Sequence, residues 1–209
     1  MLGDAMLLIL SGPSGAGKST LCDRLLAEFP TLRLSVSTTT RAPRGAEQHG
    51  VHYFFVTPER FDEMVSEEAF AEHATVHGNR YGTSKAVIEE SLRAGNSVLF
   101  DIDFQGAESL LAYRGDAIAV MVFPPSMEVL EQRLRGRGTD SAEVVARRLQ
   151  AARAEMAHFP SFHHLIINDD LDRAFEELRS IYIAGRSRTQ HRAEEVRRRF
   201  GLVASLNEI

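Results

Sequence analysis

Cysteine, lysine and tryptophan are scarce in this 209-residue chain, which holds one Cys, two Lys and no Trp. A single thiol, Cys22, rules out an intrachain disulfide framework and any multi-cysteine zinc site. No apolar run approaches the roughly 18 residues that a membrane span requires. The apolar stretch of the first ten residues has no basic lead and is broken by Asp4, so it reads as a strand rather than a signal peptide. These absences place the chain in the cytoplasm as an expectation. Excess positive charge is missing too. The formal net charge is −5, which argues against a nucleic-acid polymer or a membrane surface as partner.

The scarcity of lysine sharpens the two that exist. Of 24 cationic side chains only Lys18 and Lys85 are lysines. Arginine serves almost everywhere else, and Lys18 stands in a glycine-rich stretch. The remaining composition, 44% hydrophobic and 25% charged, is that of a globular chain with a sizeable core.

The chain reads as α/β. Short buried-strand candidates lie at Met6 to Leu10, Arg33 to Val36, Ser97 to Asp103, Ala117 to Phe123 and His164 to Ile167. Helical spacing fits Ser19 to Phe29, Gln105 to Leu111, Ser126 to Arg135, Ser141 to His158 and Asp170 to Ile183. Strands alternating with helices predict a parallel sheet flanked by helices on both faces. Ser37 to Ala94 differs, being richer in Thr, His, Gly and aromatics. It reads as a small inserted α+β lobe, with strand pieces at Tyr53 to Val56 and Phe70 to Val76 and helices at Pro58 to Glu67 and Ser84 to Ala94. The Arg-rich span Arg133 to Arg148 reads as a second, smaller insertion. Gly185 to Arg199 reads as a solvated, charged terminal helix, with an oligomer contact through Phe200, Leu202 and Val203 as the lesser reading.

Gly12, Pro13, Ser14, Gly15, Ala16, Gly17, Lys18 and Ser19 fit G-x-x-x-x-G-K-[ST]. The motif follows a predicted strand and opens a predicted helix, which is the context it requires. Its glycines let successive backbone N–H groups converge on phosphate oxygens, and the helix N-terminus adds positive potential. Lys18 would reach the β- and γ-phosphates, and the Ser19 hydroxyl would ligate Mg²⁺. A compact ammonium suits such a cradle better than a broad guanidinium fork. Val98 to Asp101 is an apolar strand ending in a carboxylate, suited to hold the metal, often through water.

With these motifs in place, the chain resembles the guanylate kinases of the P-loop nucleoside monophosphate kinase group. The markers run from Leu7 to about Ile183. They include Gly12 to Thr20, Ser35 to Arg44, Glu47, Gly50 to Tyr53, Glu72, Tyr81 to Thr83, Asp101 to Asp103, Arg148 and Asn168 to Asp170. The resemblance implies an enzyme that transfers the γ-phosphoryl of ATP to GMP, and dGMP as well, with Mg²⁺ as cofactor. It also implies a core (about 5–36, 97–127 and 150–184), a GMP-binding lobe (about 37–96), a helical lid (about 128–149) and a C-terminal extension (185–209). Lys18, Arg41, Arg137 and Arg148 would be catalytic. Gly12 to Thr20, Arg133, Arg137 and Asn168 would bind ATP. Ser37, Arg41, Arg44, Glu47, Tyr53, Glu72, Tyr81, Thr83, Asp101, Asp103 and Arg148 would bind GMP. Ser19 and Asp101 would hold the metal.

Chemistry supports those roles independently. Guanine presents N1–H and N2–H₂ side by side, which one carboxylate such as Glu72 accepts together, whereas adenine offers a lone pair at N1. A Ser hydroxyl such as Ser37 can donate to guanine O6. Leaving a buried carboxylate unpaired is costly enough to support discrimination of around 10⁴. Arg41 and Arg44 suit bidentate phosphate clamping. The acceptor is a phosphate with a second pKa near 6, so no general base is needed. The task is to join two polyanions and neutralise the transferred charge.

Two positions depart from the family pattern. Glu47 follows Gly45-Ala46 rather than a glycine directly, and Arg80 stands where an aromatic is frequent. Arg80 is expected to point outward. His73 and His77, four apart, are not expected to form a metal site. Cys22 is expected to pack as a small hydrophobe, and Phe54, Phe55, Phe61 and Phe70 to form the small lobe's core. Two other functions stay in view: a different P-loop small-molecule kinase, for instance one acting on a phosphorylated ribose, and a kinase-like module that binds phosphopeptides. The sequence does not choose between a monomer and a homo-oligomer.

Overall fold

A computed structural model of the chain describes residues 5–76, 78–136 and 141–202. In chain order its first elements are β1 (Leu7–Ser11), α1 (Lys18–Glu28), β2 (Leu32–Leu34), β3 (Thr38–Thr39), β4 (Phe54–Phe55), α2 (Pro58–Ser66), β5 (Phe70–Val76), β6 (Asn79–Ser84) and α3 (Lys85–Arg93). There follow β7 (Ser97–Asp101), α4 (Phe104–Tyr113), β8 (Ile118–Phe123), α5 (Met127–Arg135), α6 (Ala142–Met156), β9 (His164–Ile167), α7 (Leu171–Arg186) and α8 (Thr189–Phe200).

β1 lies at the centre of a five-stranded sheet in the order β2-β7-β1-β8-β9. Every pairing is parallel, with Leu8 opposite Leu99 on one side and Ile118 on the other. Parallel neighbours need crossovers, and helices cover both faces as a result. That explains the unbroken apolar run of β1, all five residues of which are buried. Side chains alternate across the sheet. Leu8 and Leu10 meet Leu25, Leu178 and Tyr182 on the α1 and α7 side. Leu7 and Ile9 meet Ile88, Ala107 and Leu110 on the α3 and α4 side. Burying each such side chain is worth about 1.5–3 kcal/mol. Cys22 lies in the first of these clusters, and burial pushes its thiol well above the usual range, so it packs as an inert small hydrophobe.

A four-stranded sheet in the order β4-β3-β6-β5 forms the small lobe. β3 and β6 have no counterpart among the strands expected from sequence. Asn79–Ser84 is polar and Gly-containing, without the alternation that marks a strand. It is extended because β5 pairs with it from Val76–Asn79 to Phe70–Ser84. The aromatic core is smaller than expected. Phe61 and Phe70 are buried, with ring centroids 4.7 Å apart, whereas Phe54 and Phe55 are half-buried because two-residue β4 lies at the sheet edge. Arg80 points toward α2, bonding the Asp62 carboxylate and the Pro58 carbonyl and lying over the Phe61 ring.

α5 and α6 pack on each other through their own cluster of Leu130, Leu134, Val145 and Ala152, separate from both sheet-covering clusters. The span expected as one solvated helix from Gly185 is divided: Gly185 is buried near the end of α7, close to Ile118 and Met6, while α8 buries no residue. Among the described residues, no helix is long and apolar enough to cross a membrane.

Candidate active site

β1 delivers the chain into the glycine-rich loop, and α1 begins at Lys18. Five other helices, α2, α4, α5, α6 and α7, are closed by a side chain of their own: Thr57, Asp103, Ser126, Ser141 and Asp170. α1 has no side-chain cap and no acidic residue in its first turn. Its first N–H groups and the positive end of its dipole are therefore left for an anion. Gly17 at the N-cap has φ +98°, and a Cβ there would stand 2.2 Å from the Asn168 amide nitrogen. That amide is buried and donates to the Ala16 carbonyl at 2.8 Å, tying the loop to the end of β9.

Lys18 donates Nζ to the Gly12 carbonyl and sits 3.8 Å from Asp101. Asp101 ends β7, where burial raises its carboxyl pKa and Lys18 opposes the shift. Arg133 on α5 donates to the Gly15 carbonyl at 3.0 Å, so the α5–α6 pair leans on the phosphate loop.

The small lobe places a second set of groups across from these. Glu72 on β5 is buried and accepts from the Thr83 hydroxyl of β6 at 2.6 Å. Burial pushes its carboxyl up to about 7, the Thr83 bond opposes this, and Asp103 adds to it. Asp103 caps α4 by accepting from the Gly106 N–H at 2.9 Å. Gly106 lets α4 approach Glu72, since a Cβ there would lie 2.9 Å from its carboxylate.

Arg41 is buried beside Glu47, whose carboxylate accepts from its guanidinium at 2.9 Å and from the Arg44 backbone N–H at 2.8 Å. Glu47 and then Tyr81 hold the guanidinium charged, and Glu47 is correspondingly lowered by Arg41. Tyr53 lies under Arg41, 5.2 Å from ring centroid to guanidinium carbon, and 6.0 Å from the Tyr81 ring. With Ala46 rather than glycine before it, Glu47 still bonds the Arg41 guanidinium and the Arg44 backbone.

One cavity of about 1030 Å³ joins the two sets. Gly12 to Gly15, Gly17 to Thr20, Ser37, Tyr53, Glu72, Tyr81, Asp101, Asp103, Arg133 and Asn168 line it. Ala16 and Thr83 stand behind the wall and act through Asn168 and Glu72. The Arg44 side chain is exposed, while Arg41 and Arg148 are not part of the lining. Arg137 and His77 lie outside the described residues. Leu171 and Glu155 on the wall were missed by the sequence reading, and Ser35, His52 and Asp169, also on the wall, lie in the marker stretches without an assigned role. For Glu155 a signal existed: it stands three residues after Ala152, on the buried stripe of α6. Among the described residues, no group of three or more His, Cys, Asp or Glu is placed to hold a metal by protein ligands alone.

A strand, phosphate loop and open helix N-terminus, facing a second lobe with a buried carboxylate and an Arg–Tyr cluster, define a P-loop phosphotransferase of small nucleotides. The chain belongs to the guanylate kinase family, whose model matches residues 4–184. It is 48% identical over 202 residues to the guanylate kinase of Syntrophotalea carbinolica, covering 97% of this chain and 96% of the relative. It is 53% identical over 178 residues to that of Anaeromyxobacter dehalogenans, covering 84% and 79%. The crystal structure of guanylate kinase from Anaplasma phagocytophilum superposes with a TM-score of 0.74 at 31% identity, covering 95% of this chain and 97% of that one.

Proposed function

We propose that this chain performs the reaction of its family, moving the γ-phosphoryl group of ATP to GMP and releasing ADP and GDP, with dGMP accepted as well. The observation that carries this reading is a single cavity with the Lys18 loop at one end and the buried Glu72 carboxylate at the other. An anion cradle and a reader for adjacent N–H donors thus face one another across the space that two nucleotides need.

On this reading the loop from Gly12 to Thr20 and Arg133 hold the donor, and Asn168 keeps the loop in shape. Arg41, Tyr53 and Tyr81 take the acceptor phosphate, with Glu47 orienting Arg41. Ser37, Glu72 and Asp103 face the base, and Thr83 fixes Glu72. Arg44, Arg137 and Arg148 are assigned to phosphates on family resemblance. The core, lobe, lid and extension follow the boundaries given above. The acceptor is already an anion, so the residues need only align the two phosphates, spread the transferred charge and exclude water. The Ser19 hydroxyl and Asp101 carboxylate are hard oxygen donors beside the loop, which suits Mg²⁺ carried in with substrate phosphates. When bound, that ion neutralises phosphate charge. A lone thiol buried at Cys22 fits work in a reducing cytoplasm.

A coupled assay of ADP release, with ATP, Mg²⁺ and a panel of GMP, dGMP, AMP, UMP and CMP, tests the proposal. Turnover with GMP and dGMP and very little with AMP is expected. No turnover with GMP, or equal turnover with AMP, sinks it. A phosphorylated ribose kinase would have no use for Ser37, Glu72 and Asp103 around one pocket, and a binding module would not need an intact Lys18 and Ser19.

A further inference from the structure

β3 ends at Thr39, two residues before Arg41. Thr39 is fully buried and lies directly opposite Tyr81 in the antiparallel β3–β6 pair. One residue further on, the Thr40 N–H donates to the Arg80 carbonyl at 3.1 Å, and the Thr40 hydroxyl accepts from the Arg80 N–H at 3.0 Å. The Arg41 N–H goes to a side chain instead, donating to the Thr39 hydroxyl at 3.1 Å. That hydroxyl donates in turn to the Arg80 carbonyl at 2.9 Å. Its single hydrogen is thereby committed, and a lone pair is left for Arg41. Arg80 is itself held from α2, through Asp62, the Pro58 carbonyl and the Phe61 ring.

Arg41 is therefore held at both ends. Glu47 and the Ala42 carbonyl take its guanidinium at 2.9 and 2.8 Å, and the Thr39 hydroxyl takes its backbone. Without that hydroxyl a buried N–H would be left unpaired, which is costly enough to turn the backbone toward another acceptor. The direction in which the side chain leaves the backbone would turn with it. We propose that Thr39 is a positioning residue for Arg41, its hydroxyl fixing the backbone from which the guanidinium is aimed at the acceptor phosphate. The inference rests on the reading of Arg41 as a holder of that phosphate.

Steady-state kinetics of the full chain, with GMP and ATP each varied, test this on the wild type, Thr39→Val and Thr39→Ser. Valine keeps the branched shape and loses the hydroxyl. Thr39→Val is expected to raise the KM for GMP roughly three- to tenfold, the scale of one hydrogen bond, with kcat and the KM for ATP within about twofold of wild type. Thr39→Ser keeps the hydroxyl and should return the KM for GMP to within about twofold. A double-mutant cycle separates action through Arg41 from a general effect on the lobe. In the Arg41→Ala background, Thr39→Val should change kcat/KM for GMP by less than about twofold. An unchanged KM for GMP in Thr39→Val overturns the proposal, as does an equal rise in both KM values or a Ser variant that fails to restore. A Val effect that is undiminished without Arg41 overturns it too. If Thr39→Val does not fold, Thr39→Ala takes its place with the same expectations. Failure of both to fold makes the hydroxyl a requirement of the fold alone and overturns the proposal. A wild type that does not turn over GMP overturns the functional reading and this proposal with it, whereas normal turnover with any of the other adverse results overturns this proposal alone.

Discussion

The Thr83 hydroxyl donates to the Glu72 carboxylate at 2.6 Å, from the position directly opposite it in the antiparallel β5–β6 pair. The bond occupies one carboxylate oxygen, while the other faces Gly106 of α4. Side chains from two strands and the space left by one glycine thus fix a single rotamer of a buried acid.

That burial makes Glu72 pH-sensitive. Its carboxyl is pushed up to about 7 from an ordinary 4.5. The folded state holds the proton more tightly, so this group's contribution to stability is full below about 4.5 and is lost as pH rises through about 7. Above that, the buried charge withholds on the order of 3 kcal/mol. Glu72→Gln is expected to be more stable than the wild type in urea melts at pH 8, with the advantage fading toward pH 5. For GMP the sign is opposite, because only the ionised acid accepts both guanine donors. The KM for GMP should rise as pH falls from 8 to 6, and a flat profile would contradict the role. Glu72→Gln should also discriminate less well against AMP.

Glu47 ties the Arg41 guanidinium to the Arg44 backbone. Glu47→Ala frees both and removes the partner that keeps Arg41 aimed. We expect the KM for GMP to rise about tenfold, the scale of one lost charge-assisted bond, with a smaller change in kcat. Steady-state kinetics with GMP varied and ATP saturating decide this, and an unchanged KM would count against it.

Lys18 makes its contacts with its own loop and with Asp101, so its removal should leave the fold intact. Lys18→Ala is expected to lower kcat by about 10²–10³, the scale for one lost transition-state donor, with a melting temperature near that of the wild type. A kcat within a fewfold of wild type would remove Lys18 from the chemistry.

Asn168 acts on the loop from behind. Asn168→Ala loses the buried bond to the Ala16 carbonyl and leaves that oxygen unpaired. A loss of about 1–3 kcal/mol in denaturant melts is expected, together with a higher KM for ATP and an unchanged KM for GMP. A rise in the GMP value alone would place the residue elsewhere. Gly17→Ala should be worse still, because its φ of +98° and the 2.2 Å approach to Asn168 both exclude a Cβ.

Much of the fold was legible beforehand. β9 and β5 fall at the expected residues, and the five core strands appear in order with ends shifted by a few residues. Continuous apolar runs signal strands buried on both faces, and β1 meets that condition. The small lobe was less legible. β6 has little apolar alternation, and partner strands rather than its own side chains hold it extended. Phe54 and Phe55 read as core by composition, yet their edge position leaves them half-buried.

By itself the sequence determined the phosphate loop, because Gly, Lys and Ser at set spacing after an apolar run encode a backbone shape and a charge within a few residues. It also determined the alternation of strands and helices, which follows from local hydrophobic period. Only the tertiary structure decided which distant side chains share a cavity. Asn168 lies 152 positions from Ala16 and holds its carbonyl, and Glu155 of α6 lines the same cavity as Lys18. Such placements arise from how packed helices and sheets bring remote segments together, and no local period in the chain records them. Lys18 marks the same division: local spacing singled it out, and only the packed structure sets the Asp101 carboxylate 3.8 Å from its ammonium.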